Sequence, residues 1–405
     1  GIAGLFWFSF GNFLALMAFS FGAKKIREEN PNGFTLSSWF HSKYGRLVQW
    51  VVFAAAFLYT LQGMTINLYA GSRSVQFLTG LNPLWVSVML VGIALVYSWR
   101  GGQKATVATD LVKIGVIWAV LLTVGISVFG TIGFQPVLDG IGGKSGQGVA
   151  LWGDAFTNGL LLGFGIPTVL GHFATPWTDN ATYQNAFSIE KKDVQKAFIM
   201  GPIYWTILPI VGGMLGLAAA GMKYDVSGPT TQFINLIVMA NTVGIWLALL
   251  YLTVVFAGLV SIVDTQMIGA ANLVGNDVHD GMKGSNPITW GRGAMVFLTI
   301  AGVGLANLPG LDLNMLFMWG KALMLTFCIP IIFALLTKDF LTREGFLAGS
   351  AIGVFIGIPL YAYGQFFGGG PVAMATAVLL EVFGSGVVCW VVSEITRKRH
   401  AAITA

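Results

Sequence analysis

A succession of apolar runs, most of them about twenty residues long or longer, constrains this chain more than anything else, because that is the length a helix needs to cross the hydrocarbon of a bilayer. A barrel strand would be about half as long and would alternate in polarity, and no such alternation occurs. Inside lipid each backbone N–H and C=O must be satisfied within the crossing segment, so the crossing element is a helix. Residue usage agrees: 55% of residues are hydrophobic and 10% charged, too few polar side chains to enclose a soluble core. The expected fold is an all-α polytopic membrane protein with about eleven transmembrane helices, at 1–22, 48–79, 83–99, 106–130, 151–174, 196–221, 240–275, 288–308, 312–337, 345–366 and 371–396.

Orientation follows from the basic residues. If the loop after the first span is cytoplasmic, strict alternation puts seventeen of the 22 Lys and Arg inside and three, Arg73, Lys144 and Lys223, outside, while Lys113 and Lys321 fall within spans. That bias obeys the positive-inside rule and places the C-terminus in the cytoplasm of a multi-pass protein of the cell's inner (plasma) membrane. The first span then runs inward with no basic flank, which reads as a chain lacking a preceding helix. Counting that absent helix, residues 1–130 (core helices 2 to 5) and 151–337 (core helices 6 to 10) form two sets of five with opposite orientation, the layout of inverted-repeat transporters. Residues 345–396 remain as two peripheral helices.

Polar groups at membrane depth mark the candidate sites. In "FAGLVSIVDTQMIGAANLVGNDV", Ser261, Asp264, Thr265, Ile268 and Asn272 share one helical face. Two hydroxyls and a carboxylate there supply hard oxygen ligands for a small cation, with Ser261 and Asp264 as the metal ligands. The plainer alternative is a polar contact that packs the bundle. Asp110 and Lys113, three residues apart, are placed to pair with each other. Lys321 lies too deep in its span to reach the interface easily and calls for a buried carboxylate or an anionic solute. In "WGDAFTNGLLLGFGIPTVLGHFATPWTDNATYQNAF" the glycines, Pro167 and Pro176 predict a break, either a kink with a glycine packing face or a discontinuous helix beside a substrate. His172 is as well explained by helix packing as by a ligand or proton-carrier role. Cys328 and Cys389 sit inside apolar runs and read as small buried hydrophobes.

These stretches resemble the sodium/solute symporter family. "YSWRGGQKATVATDLVK" is similar to its signature leading into the fifth core helix, "TDNATYQNAFSIEKKDVQKAF" to the segment after the sixth, and the quoted Ser261 stretch to the eighth. "CIPIIFALLTKDFLTREGFLAGSAIGVFIG" resembles the tenth helix, its basic loop and the start of the next, and the region around Asp179 resembles the urea and polyamine branch. The resemblance implies a coupling ion, Na+, held between the eighth and first core helices by an adjacent hydroxyl pair. Ser261 matches the first of that pair and Ile262 replaces the second. Asp110 matches an acidic residue near the ion path, and Asp264 and Thr265 fall where some members bind a second sodium. Lys113 stands where a Gln is common, so an ammonium there would replace sodium and make coupling to H+ the alternative. The substrate is expected among Phe173, Pro176, Trp177, Asp179, Trp319 and Lys321.

The function expected from these features is secondary active transport: symport of a small polar organic solute with a cation, by alternating access. Its partners are the solute, the cation and the lipid bilayer, with no nucleic acid, and the sequence is silent on oligomeric state. A non-transporting sensor on the same fold is the competing class. A channel would need a repeated pore-lining ring, and an enzyme a cluster of catalytic groups in the loops; the sequence offers neither.

Overall fold

The computed structural model describes residues 1–31, 33, 35–143, 146, 149, 159–225, 228–278 and 286–404, and every regular element among them is helical. We number the principal helices α1 (Ile2–Glu29), α2 (Leu36–Tyr44), α3 (Arg46–Thr79), α4 (Pro83–Ile132), α5 (Gln135–Asp139), α6 (Ile166–Thr178), α7 (Asn180–Ser188), α8 (Val194–Gly221), α9 (Ile234–Thr242), α10 (Ile245–Val278), α11 (Pro287–Ala306), α12 (Leu313–Leu336), α13 (Arg343–Phe366) and α14 (Gly370–Ile403). Nine of these, among the described residues, are long and apolar enough to cross a membrane: α1, α3, α4, α8 and α10 to α14. Their outward faces carry side chains such as Trp85, Val96 and Leu111, whereas Gln49, Asn180, Gln184 and Asp264 are buried between helices. Apolar outside and polar inside is the arrangement a bundle takes in lipid.

Two differences from the sequence expectation concern breaks. The spans expected at 83–99 and 106–130 are numbered together as α4, yet the chain kinks between them at Gly102 (φ 53°, ψ −151°), a left-handed position that a residue without Cβ adopts at little cost, and the helices on either side of it approach each other. The span at 240–275 is instead split, because Gly244 at φ 135° ends the approach from α9 and starts α10. In the glycine- and proline-rich span, a π-helical turn at Leu161–Gly165 runs into α6, which continues through Pro176 and breaks only at Asp179 (φ −79°, ψ 113°). Residues 151–158 of that span lie outside the described residues.

The loops expected inside meet at one end of the bundle. Lys43 Nζ reaches Glu29 at 3.7 Å and the Lys338 carbonyl at 3.3 Å, Arg27 donates to the Ile189 carbonyl at 3.2 Å, and Arg292 to that of Trp99 at 3.4 Å. At the other end the Ile2 N–H donates to the Ile141 carbonyl at 2.9 Å and Tyr69 to that of Leu311 at 2.8 Å. Lys144 and Lys283 lie outside the described residues. Two large apolar cores organise the interior. One gathers Phe19, Trp177, Tyr183 and Met324 from α1, α6, α7 and α12, and the other Met64, Leu68, Met267 and Leu298 from α3, α10 and α11.

Candidate functional site

Two polar features adjoin in the interior, an ion-pair cluster between α4 and α10 and a cavity beside it. The cluster forms because the kink at Gly102 lets Tyr97, from the first half of α4, and Lys113, from the second, converge although they are 16 residues apart. Opposite them α10 presents Ser261, Asp264 and Thr265, the face expected from their spacing.

The Lys113 ammonium has three hydrogens and three oxygens to receive them. Its Nζ lies 2.8 Å from Asp264 Oδ2, 3.1 Å from Asp110 Oδ1 and 3.2 Å from the Tyr97 hydroxyl. Tyr97 in turn donates to Asp264 Oδ2, Ser261 Oγ donates to Asp110 Oδ1 at 2.6 Å, and Thr265 Oγ1 lies 3.2 Å from Asp264 Oδ1. Asp264 is 0% exposed, Lys113 14% and Asp110 31%, so the strongest pair is also the driest. All the predicted cation residues and Lys113 are therefore brought together, and the positive charge at their centre belongs to the protein itself. Among the described residues no group of three or more His, Cys, Asp or Glu is placed to hold a metal ion. Sequence reasoning missed Tyr97, whose signal was a lone tyrosine one helical turn before the Gly101–Gly102 pair.

The cavity, of about 700 Å³, is bounded by α1, α3, α6, α8, α10 and α12. Ile262 and Gln266 reach it from α10, on the stripe next to the one that carries Asp264 and Thr265. On α12, Lys321 stands in the wall, donating to Thr175 Oγ1 at 3.1 Å and lying 5.0 Å from the centre of the Phe317 ring. No carboxylate lies within ion-pair distance of it among the described residues, and Asp179 acts on its charge from farther away. Gly171 makes room for it, since a Cβ there would stand 2.3 Å from Lys321 Cβ. Asn12 Nδ2 sits 3.0 Å from His172 Nε2, and Phe8 and Phe317 meet the His172 ring edge-on. Gln232 and Gln266 both line the cavity, and the side-chain oxygen of each is buried without a hydrogen-bond partner among the described residues.

Of the six residues expected at the substrate, only Lys321 lines this cavity. Phe173 and Trp177 pack into the first core, Trp177 meeting Phe19 edge-on, and Pro176 is buried within α6. Asp179 caps α7, accepting from Ala181 N at 3.2 Å and Thr182 N at 3.1 Å. Trp319 faces outward from the cavity onto Tyr361 and Phe366. The cavity's amides, Asn12, Gln62, Asn67, Gln232, Gln266 and Asn314, were missed because they are scattered over five elements and form no pattern in sequence.

Comparison with known proteins extends these observations. A profile of the sodium:solute symporter family matches residues 1–353. The urea-proton symporter DUR3 of Oryza sativa subsp. japonica is 22% identical over 398 residues, covering 89% of this chain and 55% of that protein. The urea active transporter of Saccharomyces cerevisiae is 26% identical over 247 residues, 57% of this chain and 33% of that one. The chain thus spans between about a third and about half of the length of these relatives. A solved structure of a Na+-coupled sialic acid symporter, in a substrate-bound outward-open state, superposes with a TM-score of 0.68 at 12% identity, covering 97% of this chain and 89% of that one. At that identity the likeness is one of fold.

Proposed function

Since this chain belongs to the sodium:solute symporter family, we propose that it carries out proton-coupled symport of a small, uncharged, carbonyl-bearing solute. The observation that carries the choice of ion is the Lys113 ammonium, whose three hydrogens take the oxygens of Asp110, Asp264 and Tyr97 that a sodium ion would otherwise claim. In the conformer described here Asp264 is ion-paired. When α10 swings away from α4, Asp264 leaves its ammonium, and a buried carboxylate without a counter-charge takes up a proton instead. The proton bound on one side of the membrane is expelled on the other when the pair re-forms. Gln266, two residues beyond Asp264 on the same helix, ties that movement to the cavity.

The cavity's chemistry supports the solute class. The unpaired oxygens of Gln232 and Gln266 accept hydrogen bonds, and Lys321 donates one, so a solute with N–H groups and a carbonyl satisfies both. Urea, for which the relatives are named, has that pattern. In this reading 1–130 and 151–337 are the two inverted halves, 345–396 is peripheral, and the end carrying Lys43, Lys338 and the C-terminus faces the cytoplasm of a plasma-membrane protein.

Uptake of radiolabelled urea into proteoliposomes under an imposed pH gradient or an imposed sodium gradient tests the proposal. Accumulation is expected with the proton gradient and is expected to vanish in Asp264→Asn. Accumulation driven by sodium alone returns the coupling role to a metal ion, and solute binding without accumulation under either gradient makes the protein a sensor.

A further inference from the structure

Away from the cavity and the ion pair, α12, α13 and α14 enclose a carboxylate that neither uses. Glu381 is fully buried at mid-length on α14. Its Oε1 accepts from Thr326 Oγ1 of α12 at 3.3 Å, and its Oε2 has no hydrogen-bond partner among the described residues. The Tyr361 hydroxyl of α13, also buried and without a hydrogen-bond partner among the described residues, is within electrostatic reach. The place is built for this side chain. Glu381 lies in a π-helical turn, Leu380–Gly384, packed against another on α13, Gly353–Gly357. Such turns interrupt helical hydrogen bonding and recur at functional positions. A Cβ on Gly357 would come within 2.3 Å of Glu381 Cγ, and one on Gly353 within 2.7 Å of Thr326 Cα. Larger residues at either glycine would push the carboxyl group out of its place.

An ionised carboxylate here would lack a counter-charge. No Lys, Arg or His pairs with it among the described residues. Of the titratable groups on the helices packed here, Tyr361 of α13 is within electrostatic reach, while Cys389 of α14 lies against Gly349 of α13 and Cys328 of α12 interacts with Tyr183. A metal cation in place of a counter-charge needs several oxygens around it, and among the described residues only Thr326 Oγ1 is at hydrogen-bond distance from the carboxyl group. A proton needs no such shell. We propose that Glu381 is a proton-binding site of the C-terminal helix pair, protonated while α12, α13 and α14 are packed together and deprotonated only when that contact opens to water. Thr326 shares α12 with Lys321, so opening the contact moves the helix that lines the cavity. The inference rests on packing alone and stands apart from the solute and coupling ion proposed above.

Infrared difference spectroscopy of the purified protein in lipid nanodiscs, together with thermal unfolding across pH, tests it. At neutral pH a protonated-carboxyl band is expected in the wild type and is lost in Glu381→Gln. The native state then holds one proton more than the unfolded chain, so the wild-type unfolding midpoint falls more steeply as pH rises than that of Glu381→Gln. Identical spectra, or identical midpoint-against-pH profiles, overturn the assignment. Should Glu381→Gln fail to fold, Thr326→Val keeps the carboxyl and removes its one hydrogen-bond donor: the band is expected to shift, and an unmoved band refutes the site. Neither readout involves solute, so each proposal fails on its own evidence.

Discussion

Replacing Lys113 by Gln removes the resident positive charge while keeping a polar side chain of similar length. At 2.8 Å from Asp264 the ammonium's attraction is worth about 6 kcal/mol with an effective dielectric of about 20, and Asp110 at 3.1 Å adds a comparable term. Desolvation offsets much of this in the intact pair. Deleting only the cation forfeits the attraction and leaves Asp264, 0% exposed, uncompensated, so Lys113→Gln is expected to destabilise by about 3–5 kcal/mol. The variant also leaves the oxygens of Ser261, Asp264, Asp110 and Tyr97 around a space of cation size. Sodium is therefore expected to restore stability in Lys113→Gln, by about 2.7 kcal/mol at a concentration one hundred times its dissociation constant. The wild type is expected to gain nothing from sodium over potassium. Thermal unfolding followed by tryptophan fluorescence in matched sodium and potassium buffers reads both effects. A wild type stabilised by sodium, beside a Lys113→Gln protein indifferent to it, would refute the idea that the ammonium stands in the ion's place.

Three further expectations follow from the same geometry. Tyr97→Phe deprives the ammonium of one acceptor and Asp264 of one donor, at a cost of about 1–3 kcal/mol; in a double-mutant cycle with Lys113→Gln the two losses are expected to be non-additive, and simple addition would show that the hydroxyl acts independently. Gln266→Leu removes a buried oxygen that has no partner among the described residues, so stability is expected to hold or rise, while solute affinity falls about tenfold or more, as measured by equilibrium binding. Asp179→Ala strips α7 of its cap and is expected to cost about 0.5–2 kcal/mol in denaturation with little change in solute affinity, and Asp179→Asn to recover most of it; a large loss of binding in Asp179→Ala at unchanged stability would move this carboxylate back to the substrate.

The helical spans, their approximate limits and the polar face of α10 are legible in the amino-acid sequence, because apolar length and side-chain spacing are local properties of the chain. Ser261, Asp264 and Thr265 share a face in any helix, and Asp110 and Lys113 lie one turn apart wherever α4 runs. The breaks are less legible: glycine and proline mark where a helix can fail, yet α6 tolerates Pro176 and yields at Asp179, since neighbouring helices hold the one and a side-chain cap favours the other. The chemistry of Trp177 and Trp319 points toward a substrate, but the packing gives them to the cores around Phe19 and Tyr361. Apolar runs of helix-crossing length dictate an all-helical membrane bundle with charged groups at depth, because inside the bilayer such runs satisfy their backbone groups only as helices. That Lys113 meets Asp264, 151 residues away, and that six scattered amides share one cavity were settled by tertiary packing alone, because such meetings depend on how helices cross and no local pattern encodes them.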